Sequence, residues 1–415
     1  MARSARGGGN AKRPVHCFDR DSFDPYSRFR YGTPSVKKIY WRPKTVSRTA
    51  LTLIASVAVA GLAIVENVRV ERKTRYYEEK LAATELAARG MEKLYLTRVE
   101  LGYAIDPTLD PGRSGMVGLT NSPVTSMVGD LPSKLASANP NFAAIFVDML
   151  KETGVQEGDV VAVGISGSFP ALNLCMFAAL ETVGAKPIVI ASGSSSQWGA
   201  NIPELLWIDM ERILHEEGII KTRSVAASLG GDNDRGLGLP DNGIEIIRKS
   251  IERNKLPLIE KRVKDSADER MKLYREYAAQ KPITCYINIG GGVVSTGRAL
   301  GKESFLTGVN LLPPPNIDQL DGVAPRFIKE GVPVIHIVNA AKIAEQNGLP
   351  VPPTTFPEIG AGPVFIVNDY NRVLTAILLV LIVGGLYGFI RSDIGFRLLR
   401  VASPKKTSGP PEPMV

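Results

Sequence analysis

Cysteine is scarce in this chain of 415 residues, with three in all, at positions 17, 175 and 285. Three thiols cannot make a disulfide framework, and no C-x-x-C pair is present for a zinc knuckle or a thioredoxin-type motif. Nor is the chain short of apolar residues or overloaded with charge. At 44% hydrophobic and 22% charged it falls outside the mainly disordered and fibrous classes. Basic charge is missing where a nucleic-acid footprint would need it. The net +8 comes from the ends: residues 1–48 hold 12 Lys/Arg against 3 Asp, and residues 391–415 hold 5 against 2 acids. Between them, 33 Lys/Arg face 37 Asp/Glu, a net of −4, so nucleic acid is not an expected partner.

Two uncharged runs divide the chain. Residues 50–65 (ALTLIASVAVAGLAIV) lie between Arg48 and Glu66, and residues 373–390 (VLTAILLVLIVGGLYGFI) end at Arg391. Sixteen residues rise about 24 Å as a helix, short of a hydrocarbon core of roughly 30 Å, although Arg48 could snorkel to lengthen the first run. Ala58-Val59-Ala60 mimics a signal-peptidase site, but 48 preceding residues are too many for a signal peptide. Either run could instead be a buried core helix. The favoured expectation is two transmembrane helices, at 49–65 and 373–390. The positive flanks would then hold both termini in the cytoplasm and place residues 66–372 outside it, 66–101 as a juxtamembrane helix and 102–372 as the extracytoplasmic α/β domain, with the cytoplasmic membrane as a partner. The mixed-sign segment ENVRVERKTRYYEEK after the first run weakens this charge argument. Cys175 and Cys285 sit in apolar stretches and are expected as buried free thiols. The tails, 1–48 and 391–415, are basic or Pro-rich and need little structure.

Residues 66–101 read as a helix of good formers with no Pro until Pro107 and one weak point at Gly90. Its stripe is Tyr77, Leu81, Ala87, Ala88, Met91, Leu94 and Tyr95, with Thr84 in the gap, and it suits either the domain or a second copy. Asn139-Pro140 opens the next helix. Strands at 159–165 (DVVAVGI), 187–191 (PIVIA), 223–228, 283–289 (ITCYINI) and 332–338 (VPVIHIV) then alternate with helices near 172–183, 203–217, 244–253 and 259–279. Strands apolar on both faces and separated by helices predict an α/β fold, an open, mostly parallel sheet with helices on both faces.

In such sheets ligands bind beyond the carboxyl ends of the strands, and the loops there share a composition. They are Ser166-Gly167-Ser168-Phe169-Pro170; Ser192-Gly193-Ser194-Ser195-Ser196-Gln197-Trp198-Gly199; Gly230-Gly231-Asp232-Asn233-Asp234-Arg235-Gly236; and Gly290-Gly291-Gly292-Val293-Val294-Ser295-Thr296-Gly297-Arg298. Their N–H groups, with a helix N-terminus, can hold a carboxylate or phosphate. The candidate ligand-binding residues are Ser166, Gly167, Ser168, Asn173, Ser194, Ser195, Trp198, Gly231, Asp232, Asp234, Gly291, Gly292, Ser295, Thr296 and Arg298. Ser and Gly also cap helices and make turns without any ligand. Lys134 and Arg113 are further basic residues that could meet an acidic substrate or simply face solvent.

Standard fingerprints are incomplete. Residues 164–168 (GISGS) miss the G-x-S-x-G elbow by the last residue, and Gly301-Lys302 is followed by Glu303, which excludes a Walker A loop. A Ser166–Asp209–His336 set has the chain order of a hydrolase triad, but His336 lies mid-strand, where a core histidine is commoner. Asp232, Asn233 and Asp234 could offer oxygens to a hard cation, yet the EF-hand pattern is missing its third acid and final Glu. They serve more readily as an Asp/Asn-rich turn, and no metal is assigned. No cofactor is named by any motif.

The stretch TNSPVTSMVGDLPSKLASANPNFAAIFVDMLKETGVQEGDVVAVGISGSFPALN (120–173), SSSQWGAN after the second strand, WIDME at 207–211 and NIGGGVVSTG at 288–297 resemble the poly-gamma-glutamate system proteins. The resemblance spans roughly 120–297. It implies association with the machinery that makes or exports the acidic capsule polymer poly-γ-glutamate, with synthase subunits and polymer as partners. It carries over no catalytic residues. Three readings follow: the favoured one, a membrane-anchored accessory protein whose outer α/β domain binds polymer or synthase; a hydrolase or transferase acting on γ-glutamyl amide bonds; or an anchored solute-binding or envelope scaffold protein with a Rossmann-like domain.

Overall fold

The computed structural model describes residues 48–290 and 292–391. By compactness the chain divides into two units, 1–58 with 382–415, and 59–381. The described residues of the first unit belong to helix α1 (Arg48–Asn67) and helix α8 (Arg372–Arg391). Among the described residues no helix is long and apolar enough to cross a membrane. Within these helices the uncharged stretches, 49–65 and 373–390, rise about 26 and 27 Å, against roughly 30 Å of hydrocarbon. This overturns the transmembrane helices expected at 49–65 and 373–390. The cytoplasmic-membrane partner, the two-pass localisation and the extracytoplasmic placement of 102–372 fall with them. Residues 1–47 and 392–415, and so nearly all of both expected tails, lie outside the described residues.

Unit 59–381 is built on a seven-stranded mixed sheet. Its strands are β1 (Val160–Ser166), β2 (Lys186–Ser192), β3 (Ser224–Ser228), β4 (Leu258–Ile259), β5 (Ile283–Ile289), β6 (Gly308–Asn310) and β7 (Val334–Ile337). They lie in the order β6-β7-β5-β1-β2-β3-β4. All neighbours are parallel except β6, which runs antiparallel to β7. The period of two divides each strand between the faces. Val161, Val163 and Ile165 join one hydrophobic cluster, with Phe142, Phe146, Leu172 and Trp207. Val160 and Ala162 join the other, with Tyr274, Tyr286 and Phe327.

The helices packed on the first face include α2 (Tyr77–Glu100), α4 (Phe142–Glu152) and α5 (Pro170–Val183). Gly90 lets α2 approach α5 closely, because a Cβ there would stand 2.8 Å from a Leu174 methyl. On the opposite face lie α6 (Val263–Tyr277) and α7 (Val323–Lys329). The single helix expected over 66–101 is interrupted. Arg69–Lys73 is a strand paired antiparallel with Ile366–Tyr370, and α2 begins only after Tyr76, which adopts φ 59°. Two β-branched valines at 68 and 70 favour the extended chain there. Likewise, the helix expected over 259–279 starts later, after the short β4.

Candidate functional site

Parallel register brings the strand ends abreast. Ser166 of β1 pairs with Ser192 of β2, and Ser192 pairs with Ser228 of β3. On the other flank Ile165 pairs with Ile289 of β5, which puts Gly290 beside Ser166. The chain runs β1 to β4 to one side and returns to β5 on the other. The β1–β5 boundary is therefore the topological switch point, where ligands enter such sheets.

The loops after β1, β2 and β3 close on one another. Gly193 N–H donates to Ser228 O at 2.9 Å and Ser194 N–H to Leu229 O at 3.0 Å. Ser195 Oγ donates to Gly167 O at 3.0 Å, and Ala200 N–H to the same oxygen at 2.7 Å. Ser168 Oγ accepts from Ser196 N–H at 3.1 Å. Trp198 sits at φ 57° with its indole Nε1 buried and unpartnered. Beneath this cluster lies Lys134 of α3 (Leu131–Ser137), a helix opened by Asp130, whose side chain accepts from Ser133 N–H. Lys134 is 3% exposed. Its Nζ donates to Ser168 O and, at 2.8 Å, to Ser196 Oγ, and lies 4.0 Å from the Phe169 ring centroid. Among the described residues no carboxylate pairs with it. Desolvation lowers its pKa to about 7, opposed by Asp130.

The β1–β5 boundary is lined by Ser166, Asn173, Gly290 and the short helix after Gly292. Ser166 is half-buried, and its Oγ accepts from Ser168 N–H at 3.3 Å. Gly290, at φ 101°, must lack a side chain because a Cβ would overlap Ser166 Oγ. Asn173 Nδ2 donates to Ser166 O at 2.8 Å, while Asn173 Oδ1 is buried without a partner among the described residues. Helix α5 starts here, with Pro170 in its first turn and no side-chain cap. Its ladder begins with Asn173 N–H to Phe169 O, so the N–H groups of Ala171 and Leu172 precede it. Those two residues are 1% and 0% exposed. Gly292 caps the short helix Val293–Thr296, where Ser295 Oγ meets Tyr286 OH at 3.0 Å and Thr296 is buried.

Of the sequence candidates, the structure gathers Ser166, Gly167, Ser168, Asn173, Ser194 and Ser195 into one cluster, with Gly292, Ser295 and Thr296 on the β5 side. Gly291 lies outside the described residues. Gly231, at φ 70°, shapes the third loop. Asp232 is exposed, its carboxylate accepting from Asn233 N–H, and Arg298 is exposed at φ 71°; neither joins the cluster. Asp234 is buried in an ion pair with Arg270 at 2.9 Å and accepts from Ser228 Oγ and Ser266 Oγ, so it is not free to hold a cation. Among the described residues no group of three or more His, Cys, Asp or Glu could hold a metal.

The Ser166–Asp209–His336 triad does not form. Asp209 is engaged by Arg253, Ser250 and Asn254. His336 Nδ1 meets Asn288 Nδ2 at 2.9 Å, and burial lowers its pKa to about 4, which keeps it neutral. Sequence reasoning left out Ser196 and treated Lys134 as one basic residue among several. The Leu135-Ala136 flank of Lys134 was the one available sign of its burial. A groove of about 1010 Å³ lies elsewhere, along α2 between Glu85, Arg89, Tyr95, Arg113 and Phe356.

No family model matches the chain, and no curated protein matches it. Among solved structures, an archaeal alanine:glyoxylate aminotransferase is similar at 12% identity over 84% of this chain and 68% of that one, with a TM-score of 0.17. A likeness of that size carries no argument about fold or activity.

Proposed function

We propose that this chain binds an acidic, γ-glutamyl-linked polymer at the β1–β5 opening, as an accessory of the polymer's synthesis or export. The observation that carries this reading is the buried, uncapped N-terminus of α5 at the switch point. Orphan N–H groups held away from water need an acceptor, and the positive end of a helix dipole favours an anion there. Asn173 Oδ1, buried and unpartnered beside it, is a matching acceptor for an amide N–H. A ligand carrying both a carboxylate and an amide satisfies both requirements, and each γ-glutamyl unit carries both.

The net −4 of the region between the tails opposes long-range attraction of a polyanion, so binding would rest on local contacts. The test is titration calorimetry of the full chain with purified poly-γ-glutamate at low and high salt. Saturable binding is expected, with loss of at least about tenfold in affinity for Ser166→Asp, whose own carboxylate would occupy the opening. Absence of binding at low salt, or equal binding by a folded Ser166→Asp chain, would overturn the reading.

A further inference from the structure

We propose that Ser196 and Lys134 form a nucleophile–base pair for acyl transfer at a carboxylic amide or ester. The geometry carries this. Ser196 Oγ lies 2.8 Å from Lys134 Nζ, within the reach a general base needs. Both residues are held from several directions. Lys134 is fixed by Ser168 O and the Phe169 ring. Ser196 belongs to a two-residue strand, Ser195–Ser196, paired with Thr125–Met127, and its N–H donates to Ser168 Oγ. That bond uses Ser168 Oγ as an acceptor and leaves its hydroxyl proton for a substrate oxygen.

A lysine can serve as base only when neutral. Burial without a carboxylate in contact is the environment that makes it so, and its pKa near 7 agrees. Structural lysines in this chain show the contrast, since equally buried Lys80 is paired with Asp148 at 2.7 Å.

The chemistry balances without a further reagent except water. Ser196 Oγ attacks the carbonyl carbon while its proton passes to the neutral Lys134 amine. The carbonyl C–N bond then breaks, and the Lys134 ammonium returns the proton to the leaving amine. Water adds to the acyl-serine ester, giving a proton to Lys134. The acid is released as Ser196 Oγ regains that proton. Amide links between γ-glutamyl units would be the matching substrate, a choice that rests on the polymer-binding reading; the pair itself does not.

The test uses the full chain and a fluorophosphonate, a serine-directed electrophile, with the modified peptide identified by mass spectrometry. Labelling is expected at Ser196, with a rate that rises through about pH 7 and falls at least about 100-fold in Lys134→Arg, the usual scale for losing a general base. Lys134→Met is the second variant, with thermal melting to verify folding of both. No label at Ser196 in the native chain, or an unchanged rate in a folded Lys134→Arg chain, would overturn the proposal. Ser196→Ala is expected to stop any shortening of the polymer and to abolish the label. Labelling without polymer binding would refute the binding reading alone, and polymer binding without labelling would refute the pair alone.

Discussion

Replacing Lys134 by methionine keeps most of the apolar stem and removes the titrating amine. In the native chain burial holds that amine to a pKa of about 7, whereas in the unfolded chain it returns to about 10.4. Below pH 7 both states are protonated and the folded state carries the whole desolvation penalty, roughly 4–5 kcal/mol from the gap between the two values. As pH rises from 7 towards 10.4 the unfolded state holds the extra proton, so native stability rises with pH. Between pH 6.5 and 9.5 the native chain should therefore gain about 3 kcal/mol over Lys134→Met. Methionine also leaves Ser168 O and Ser196 Oγ without their donor, at about 1–3 kcal/mol, but that loss is the same at every pH and cancels in the comparison. Urea unfolding of both chains at the two pH values, with equal m-values, measures the difference directly. A stability gap constant to within about 0.5 kcal/mol would refute the reasoning and mean that Lys134 titrates like a solvated lysine.

Three further outcomes are expected. Asp234→Ala leaves the Arg270 guanidinium buried without its partner and should destabilise by about 3–5 kcal/mol in denaturant unfolding; a loss under 1 kcal/mol would contradict the pairing. Gly90→Leu forces α2 away from Leu174 and should cost about 1–3 kcal/mol through overpacking, read as a lower melting temperature. Cys175 and Cys285 are buried, and burial raises both thiol pKa values, Cys285 to about 12. In a Cys17→Ser chain neither should react with a disulfide reagent at pH 8 until guanidinium is added, and rapid native reaction would show that one of them is exposed.

The central strands were legible because burial on both faces leaves a continuous apolar run, as in β1, whose first six residues are all buried. Short edge elements carry no such signal. β6 is Gly-Val-Asn, too brief for any period. Arg69–Lys73 is exposed at every position, so its charged residues read as helix surface. The site divided along the same line. Ser and Gly at strand ends follow from turn chemistry and were visible in sequence. Which loops seal each other depends on register, and register is a property of pairing across the sheet. Asp234 illustrates the point: a cation ligand and a partner for Arg270, 36 positions later, look the same in one dimension.

The same register argument narrows where chemistry can occur. Loops after β1, β2 and β3 bond to each other through backbone groups, so most of their polar atoms are already satisfied and offer little to a ligand. Two places proposed above for chemistry share residues 166–168. One is the α5 N-terminus with Asn173, facing the β5 side; the other is the amine of Lys134 with Ser196, on the β2 side. Ser168 connects them, since its carbonyl holds Lys134 and its hydroxyl receives Ser196 N–H, while its own N–H reaches Ser166 Oγ. A ligand that moves Ser166 must therefore act on Lys134 through one short segment. Binding at the opening should accordingly change the pH dependence of Ser196 labelling even if the ligand touches neither residue. A labelling profile identical with and without saturating polymer would separate the two places and show that they work independently.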